Sequence, residues 1–411
     1  MYLYSQKPIN YLNNMHNLRK TLSVIGIGMM AVASFAAGNN PVLTVSGLNP
    51  ADFNTTLQGK KVELVTLTNG KGMEVCLTNY GGRVVSICVP DRNGKATDVV
   101  LGYDNIRQYA DTLNTPSDFG SSVGRYANRI KDAKITVAGK TYRLRPNDNG
   151  NTLHGGGATG WLNKVYDIEQ RTDSSVTFAI TAPDGENGFP GTVKATATYV
   201  VKSDNTLDIV FKATTDKETV INMTNHSYFN LNGDPSKEGV DQVMYINADK
   251  FTPSDAKYIP TGEIRDVTGT PMDFRKPHAI SETICDTAFD QIRNATGYDH
   301  NWCLNTFRNG KGNDNQVAAS LYSPKTGILL EVFTNEPGLQ VYTGNFQGTG
   351  IACKHGIKYP KHVSVCFESQ KYPDSPTKIV EKTKGWEFSN PYLKPGDTYY
   401  SHLAYKFSIK K

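Results

Sequence analysis

The sequence predicts an all-β chain folded as one large antiparallel β-sandwich. Short β-rich runs succeed one another at short intervals, divided by Gly, Asn and Pro. Helical periodicity is scarce, and no strand–helix alternation appears that would build a parallel sheet. No repeat of fixed period is present, which weakens a propeller reading.

In order, the runs are "KKVELVTLTN" (60–69), "MEVCLTN" (73–79) and "RVVSICVP" (83–90), with Gly and Asn between them. "DNIRQYADT" (104–112) is the best short helix candidate. "AKITVAGKTYRLRPN" (133–147) predicts a hairpin: Ile135 and Val137 alternate before an Ala-Gly-Lys turn, Tyr142 and Leu144 after it. "SSVTFAITAP" (174–183), "TVKATATYVV" (192–201) and "TLDIVFKATT" (206–215) continue the pattern. "GILLEVFTNEPGLQVYTGN" (327–345) adds two strands around a Pro-Gly, and "YSHLAYKFSI" (400–409) closes the chain.

The N-terminus carries the pattern of an export signal. "MHNLRK" (15–20) is a positive start, with Met15 a candidate true initiator. "TLSVIGIGMMAVA" (21–33) is apolar but short for a bilayer span, and "SFAAG" (34–38) places Ser34 and Ala36 at the spacing of a cleavage site. The expectation is a signal peptide over 1–37, one domain over 38–411, a periplasmic location, and no stable membrane insertion after processing.

At 411 residues and 38% hydrophobic content, the chain can bury a sizeable core. Its formal charge of +5 includes Lys7, Arg19 and Lys20 of the signal, which holds no acid, so the remainder carries +2. With no dense Lys/Arg run to follow a phosphate backbone, nucleic acid is not expected as a partner. The six cysteines, Cys76, Cys88, Cys285, Cys303, Cys353 and Cys366, form no CxxC pair, and their irregular spacing suits neither a disulfide scaffold nor a zinc site.

Several segments are richer in polar groups than strands require: "VGRYANRI" (123–130), "NTLHGGG" (151–157), "TNHSYFNL" (224–231), "GYDHNW" (297–302), "PGLQVYTGN" (337–345) and "VCFESQKYPDSP" (365–376). Each has a bland reading: His154 capping a glycine turn, His226 as a hydrogen-bonded core histidine, Asp299–His300 as a surface ion pair. Glu368 resists one, because it continues the apolar run Val365-Cys366-Phe367, where a carboxylate is costly unless bonded or functional. Gln340 raises the same question more weakly. Together the segments supply a base (Glu368), an acid (His226), hydroxyl-binding groups (Asn128, Arg129, His154, Asp299, Gln340) and nearby aromatics (Tyr228, Phe229, Tyr372), an inventory that suits a sugar. His154, His226, Asp299 and Glu368 could also surround a cation, but no HxH, HExxH or DxDxDG pattern supports it. No GxSxG elbow on a strand-to-helix turn appears, and no GxGxxG follows a strand before a helix, leaving a serine hydrolase or dinucleotide site unsupported.

The ordered set "GRYANRI", "NTLHGG", "TNHSYFNL", "IPTGEI" (259–264), "MDFRKP" (272–277), "GYDHN", "PGLQVYTGN" and "FESQKYPD" resembles that of the aldose 1-epimerases, or galactose mutarotases, across residues 58–410. The resemblance implies a mutarotase-like supersandwich that interconverts the anomers of a free aldose. It implies Glu368 as the base on the C1 hydroxyl and His226 as the acid on the ring oxygen. Arg129, His154 and Asp299 would bind substrate, with Asn128 and Gln340 making lesser contacts. No metal or organic cofactor is implied, and the expected partner is a small aldose, the protein being a monomer or weak dimer. An exported location departs from the family's common intracellular one. The rivals are an epimerase of phosphorylated hexoses, using Arg125 or Lys371, a non-catalytic carbohydrate-binding sandwich, and a glycoside hydrolase working through Asp299 and Glu368.

Overall fold

Two antiparallel sheets face one another across the main core of the computed structural model, which describes residues 42–410. The expected export signal lies outside these residues. The larger sheet has nine strands, in the order Asp167–Arg171, Ser175–Ala182, Val193–Val201, Thr206–Thr215, Tyr399–Ile409, Ile328–Thr334, Ala319–Tyr322, Val243–Ile246 and His278–Ala279. The last strand of the chain thus sits mid-sheet, paired with 206–215 on one side and 328–334 on the other. Consecutive hairpins join the four strands from Asp167 to Thr215, so their register follows from the apolar alternation: 193–201 reads buried at every odd position.

The second sheet has six strands: Tyr228–Phe229, Val365–Gln370, Gly338–Tyr342, Asp299–Cys303, Lys250–Thr252 and Arg265–Asp266. Side chains alternate between its two faces. Phe229, Trp302, Leu339, Val341, Val365 and Phe367 join the core shared with the large sheet. Phe229 meets Tyr405 of the opposite sheet at 4.8 Å between ring centroids, and the Tyr405 hydroxyl donates to the Phe367 carbonyl at 3.1 Å. Burying such rings stabilises by about 1.5–3 kcal/mol each. The alternate positions, Tyr228, Asp299, Gln340, Tyr342 and Glu368, fall on the other face. A four-stranded sheet, Leu64–Thr68, Glu74–Thr78, Arg83–Pro90 and Ala96–Asp98, completes the main layers.

The structure adjusts some boundaries. The 60–69 run breaks at Glu63, and Lys60–Val62 forms a separate hairpin with Thr55–Leu57. The 133–147 hairpin turns on two residues, Ala138 (φ 48°) and Gly139 (φ 76°), because Lys140 already pairs with Val137. Two positive φ angles give the turn whose twist matches its strands. The helix within 104–112 is Ile106–Ala110, capped by the Asn105 side chain on Gln108 N–H. No disulfide joins the six cysteines, of which Cys76, Cys88, Cys353 and Cys366 are buried. His300 forms no surface pair with Asp299: it is 2% exposed and turned to the core beside Phe251 and Trp302.

Candidate active site

The first two polar segments meet in a short ladder. Arg129 and Ile130 pair with Leu153 and Thr152, which brings "GRYANRI" beside "NTLHGGG". His154 N–H donates to the Asn128 carbonyl at 3.1 Å, and Asn128 N–H donates to His154 Nδ1 at 3.2 Å. Both residues have positive φ, 63° for Asn128 and 49° for His154, so the chain bends there to turn both side chains to one side. Gly155 follows at φ +71°, where a Cβ would lie 2.3 Å from the Gly124 carbonyl oxygen; only glycine allows that approach. Because His154 Nδ1 accepts, its Nε2 carries the proton when the ring is neutral.

His226 ends the Thr224–His226 strand, paired with Ser121 of Ser121–Val123, and its carbonyl accepts from Gly120 N–H at 2.9 Å. Tyr228 then pairs with Cys366 in the six-stranded sheet. Its ring stacks against the His226 imidazole at 4.9 Å and 18°. His154 meets His226 edge to face at 5.3 Å. His226 Nε2 lies 3.4 Å from Glu368 Oε1. Across the sheet, Gln340 is the register partner of Glu368, and its Nε2 donates to Asp299 Oδ1 at 2.6 Å. Arg129 Nε donates to Asp148 at 2.7 Å, and its guanidinium lies 4.6 Å from the centre of the Tyr258 ring.

These side chains border a cavity of about 560 Å³, within the range for a small-molecule site. Glu368, His226, His154, Arg129, Asn128 and Asp299 all line it. Gln340 does not; it stands behind the wall, 3% exposed, and acts on the cavity through Asp299. Of the three expected aromatics only Tyr228 lines the cavity. Strand alternation turns Phe229 into the core, and Tyr372 packs against Trp386. Tyr103, Phe119, Tyr258, Tyr342 and Phe346 supply the remaining aromatic surface. Tyr342 lies within the "PGLQVYTGN" motif on the Gly338–Tyr342 strand, whereas Tyr103, Phe119, Tyr258 and Phe346 come from loops that only the fold brings to the cavity. Asp118 was also missed: it lies in a loop with no motif around it, yet it joins His154 and His226 in a group whose ligand-capable atoms lie within 4.8 Å of one another.

Burial dominates the electrostatics. Glu368 is 2% exposed and held well above the usual carboxylate range by burial, then by nearby Asp299 and Asp118, with Arg129 opposing. Burial raises Asp299 as well, against Arg129 and Gln340. His226 is lowered by burial, with Asp118 opposing, so imidazole in this place does not keep its ordinary value near 6.5. His154 is lowered to about 3 by burial, so it is neutral at physiological pH. Glu368 Oε2 and His226 Nδ1 are buried without a protein partner among the described residues. Burial therefore favours the neutral carboxyl beside the neutral imidazole over the charged pair. Arg129 is the one cation among the described lining residues. Arg125 points elsewhere, donating to the Pro190 carbonyl, and Lys371 is paired with Glu336.

An adjacent acid and base, ringed by hydroxyl-binding groups and aromatic rings, define the class as a carbohydrate-processing β-sandwich. Residues 63–406 match the family model for aldose 1-epimerase. A galactose mutarotase of Bos taurus is 37% identical over 338 residues, 82% of this chain and 92% of that protein. An aldose 1-epimerase of Escherichia coli (strain K12) is 36% identical over 350 residues, 85% and 96% respectively. Among solved structures, a GalM/aldose epimerase homologue from C. elegans superposes with a TM-score of 0.75 at 28% identity, covering 85% of this chain and 100% of that one. A galactose 1-epimerase from Lactobacillus acidophilus NCFM gives 0.73 at 28% identity, covering 87% and 97%. The chain belongs to the aldose 1-epimerase family.

Proposed function

We propose that this chain interconverts the α and β anomers of free hexoses such as galactose and glucose, with Glu368 as base and His226 as acid. The observation that carries this reading is the 3.4 Å separation of His226 Nε2 and Glu368 Oε1 at the cavity wall. The C1 hydroxyl and the ring oxygen are bonded to the same carbon, so a base for one and an acid for the other must lie side by side. Glu368 takes the hydroxyl proton, C1–O1 becomes a carbonyl, the bond from C1 to the ring oxygen breaks, and His226 delivers its proton to that oxygen. Rotation about C1–C2 presents the other face. Closure returns one proton to His226 and the other to the hydroxyl, restoring both groups. Such proton transfer is worth about 10²–10⁴ in rate.

Substrate hydroxyls would meet Arg129, His154 and Asp299. Asp148 occupies Arg129 Nε, which leaves the Nη groups to donate. Neutral His154 donates through Nε2. Asn128 fixes His154, and Gln340 fixes Asp299. This scheme needs no metal or organic cofactor. A phosphorylated sugar is disfavoured because Arg129 is the one lining cation among the described residues and already pairs with Asp148. A purely binding sandwich would gain nothing from burying an acid–base pair, whose desolvation is costly.

Polarimetry on freshly dissolved α-D-galactose and α-D-glucose tests the reading. Wild-type protein should speed the approach to anomeric equilibrium, and Glu368→Gln should abolish the gain. Inert, folded wild-type protein would overturn it, and reducing sugar released from a glycoside would favour the hydrolase. We further propose, from residues 1–37, that the chain is exported to the periplasm, supplying one anomer to an uptake or anomer-selective step there. Unprocessed protein confined to the cytosol in a fractionation would sink that proposal.

A further inference from the structure

The proposed chemistry leaves one requirement unmet. It needs a proton on His226 and a charge on Glu368, whereas burial favours the reverse. Something must draw the shared proton toward the imidazole, and the Pro116–Gly120 loop holds a candidate.

Asp118 lines the cavity, and its carboxylate has no hydrogen-bond or ion-pair partner among the described residues. Its carbonyl is committed: it accepts from Ser121 N–H at 3.0 Å and from Ser121 Oγ at 2.9 Å. The loop is gripped from behind. Arg83, fully buried, donates through Nη1 to the Phe119 carbonyl at 3.0 Å and through Nη2 to the Ser117 carbonyl at 3.2 Å, on either side of Asp118. Among the described residues Arg83 has no carboxylate ion pair; its remaining bonds go to the Leu162 carbonyl and Asn163. Phe119 packs edge to face on Tyr228 at 4.9 Å, and Gly120 N–H binds the His226 carbonyl. A Cβ at Gly120 would lie 1.8 Å from the Val84 carbonyl oxygen, so only glycine allows this close approach, and the Gly120 carbonyl accepts from Val84 N–H at 2.9 Å. One backbone unit thus carries both Asp118 and the support of His226.

We propose that Asp118 is a positioning residue for the acid, a fixed negative charge that draws the proton shared with Glu368 onto His226. This rests on the reading of His226 and Glu368 given above. The other groups facing His226 do not do the same work. Glu368 is the partner in the exchange, His154 is neutral, and the Tyr228 and Tyr342 rings contact it as apolar faces. Arg83 opposes the imidazolium, and Arg129 stabilises the Glu368 carboxylate. Asp118 and Asp299 both raise Glu368, Asp299 the more, but only Asp118 also raises His226, where it leads the causes opposing burial. Among the described residues, Asp118 is the carboxylate grouped with both histidines within 4.8 Å.

The test compares wild type, Asp118→Asn and Asp118→Glu by polarimetry across pH, beside thermal unfolding. An opposite charge within about 4–6 Å shifts a titration by at least about one unit. In Asp118→Asn the basic limb of kcat/KM should therefore move about one unit to lower pH, costing about tenfold in kcat at pH 8, with KM changed less than twofold. Asp118→Glu should recover part of the limb. Superimposable pH profiles, or a lower Tm with an unmoved limb, would overturn the proposal and leave Asp118 a structural residue. A raised KM alone would make it a sugar contact, and EDTA-sensitive wild-type activity would make it a metal ligand; either overturns it. If wild-type protein shows no mutarotation, the reaction itself fails and this inference falls with it.

Discussion

His226 and His402 occupy the same sandwich and are treated in opposite ways. His402 lies on the large sheet, on the strand face opposite Leu403 and Tyr405. Its Nε2 meets Asp208 at 3.0 Å and its Nδ1 meets Asp314 at 2.7 Å. The hydrogen bond to Asp208 leads the forces that raise its pKa, against burial. His226 is 3% exposed, has one carboxylate at 3.4 Å and an unpartnered Nδ1, and is lowered by burial. One histidine is clamped between two carboxylates that favour its charged form. The other is left short of partners, which suits a group that must exchange a proton.

Their effects on stability run in opposite directions. For His402 the folded pKa lies above the unfolded one. Its contribution is complete below pH 6.5 and is lost as pH rises through the folded value. For His226 the folded pKa lies below, so stability is lost as pH falls under 6.5. Glu368, raised in the fold, costs stability as pH rises above its unfolded value of about 4.5. The site is therefore a place where the fold gives up stability for chemistry.

The largest break in the comparison comes from Glu368→Gln. It should cut kcat about 10³-fold by polarimetry, while raising Tm at pH 8, because the amide has no charge to desolvate. His226→Gln should cost about 10²–10³ in kcat, and its loss of stability toward acid pH should be shallower than that of wild type, measured by thermal unfolding. Arg129→Lys keeps the charge but loses the planar fork, and KM should rise about tenfold in initial-rate polarimetry. The smallest effect is His402→Gln. Activity should stay within twofold, Tm at pH 6 should fall by about 2 °C, and the deficit should vanish near pH 9. Activity lost in His402→Gln would dissolve the contrast.

Much of the fold was legible because strand alternation is a local code. The 206–215 run and the odd-position burial of 193–201 follow from it directly. Glu368 was legible for the same reason: a carboxylate continuing an apolar run contradicts its own pattern. The two-residue turn at Ala138-Gly139 was misjudged by one residue because Lys140 can serve in a turn or a strand. Asp118 was illegible, since nothing in its local sequence distinguishes it from a surface loop residue, and Tyr258, though it adjoins the "IPTGEI" motif, carries no sign there that it packs on Arg129. Their meaning depends on which distant strands their loops cover.

The sequence alone determined a β-sandwich, an ordered set of family motifs, and the residue types of an acid–base site, because periodicity and side-chain chemistry are properties of short segments. Only the tertiary structure decided that Tyr228 faces the cavity and Phe229 the core, that Gln340 works through Asp299, and that Asp118 stands by two histidines. Those outcomes depend on sheet register and on a loop held by a buried arginine, Arg83. They also set how far each carboxylate and imidazole is removed from water, and thereby where the proton rests.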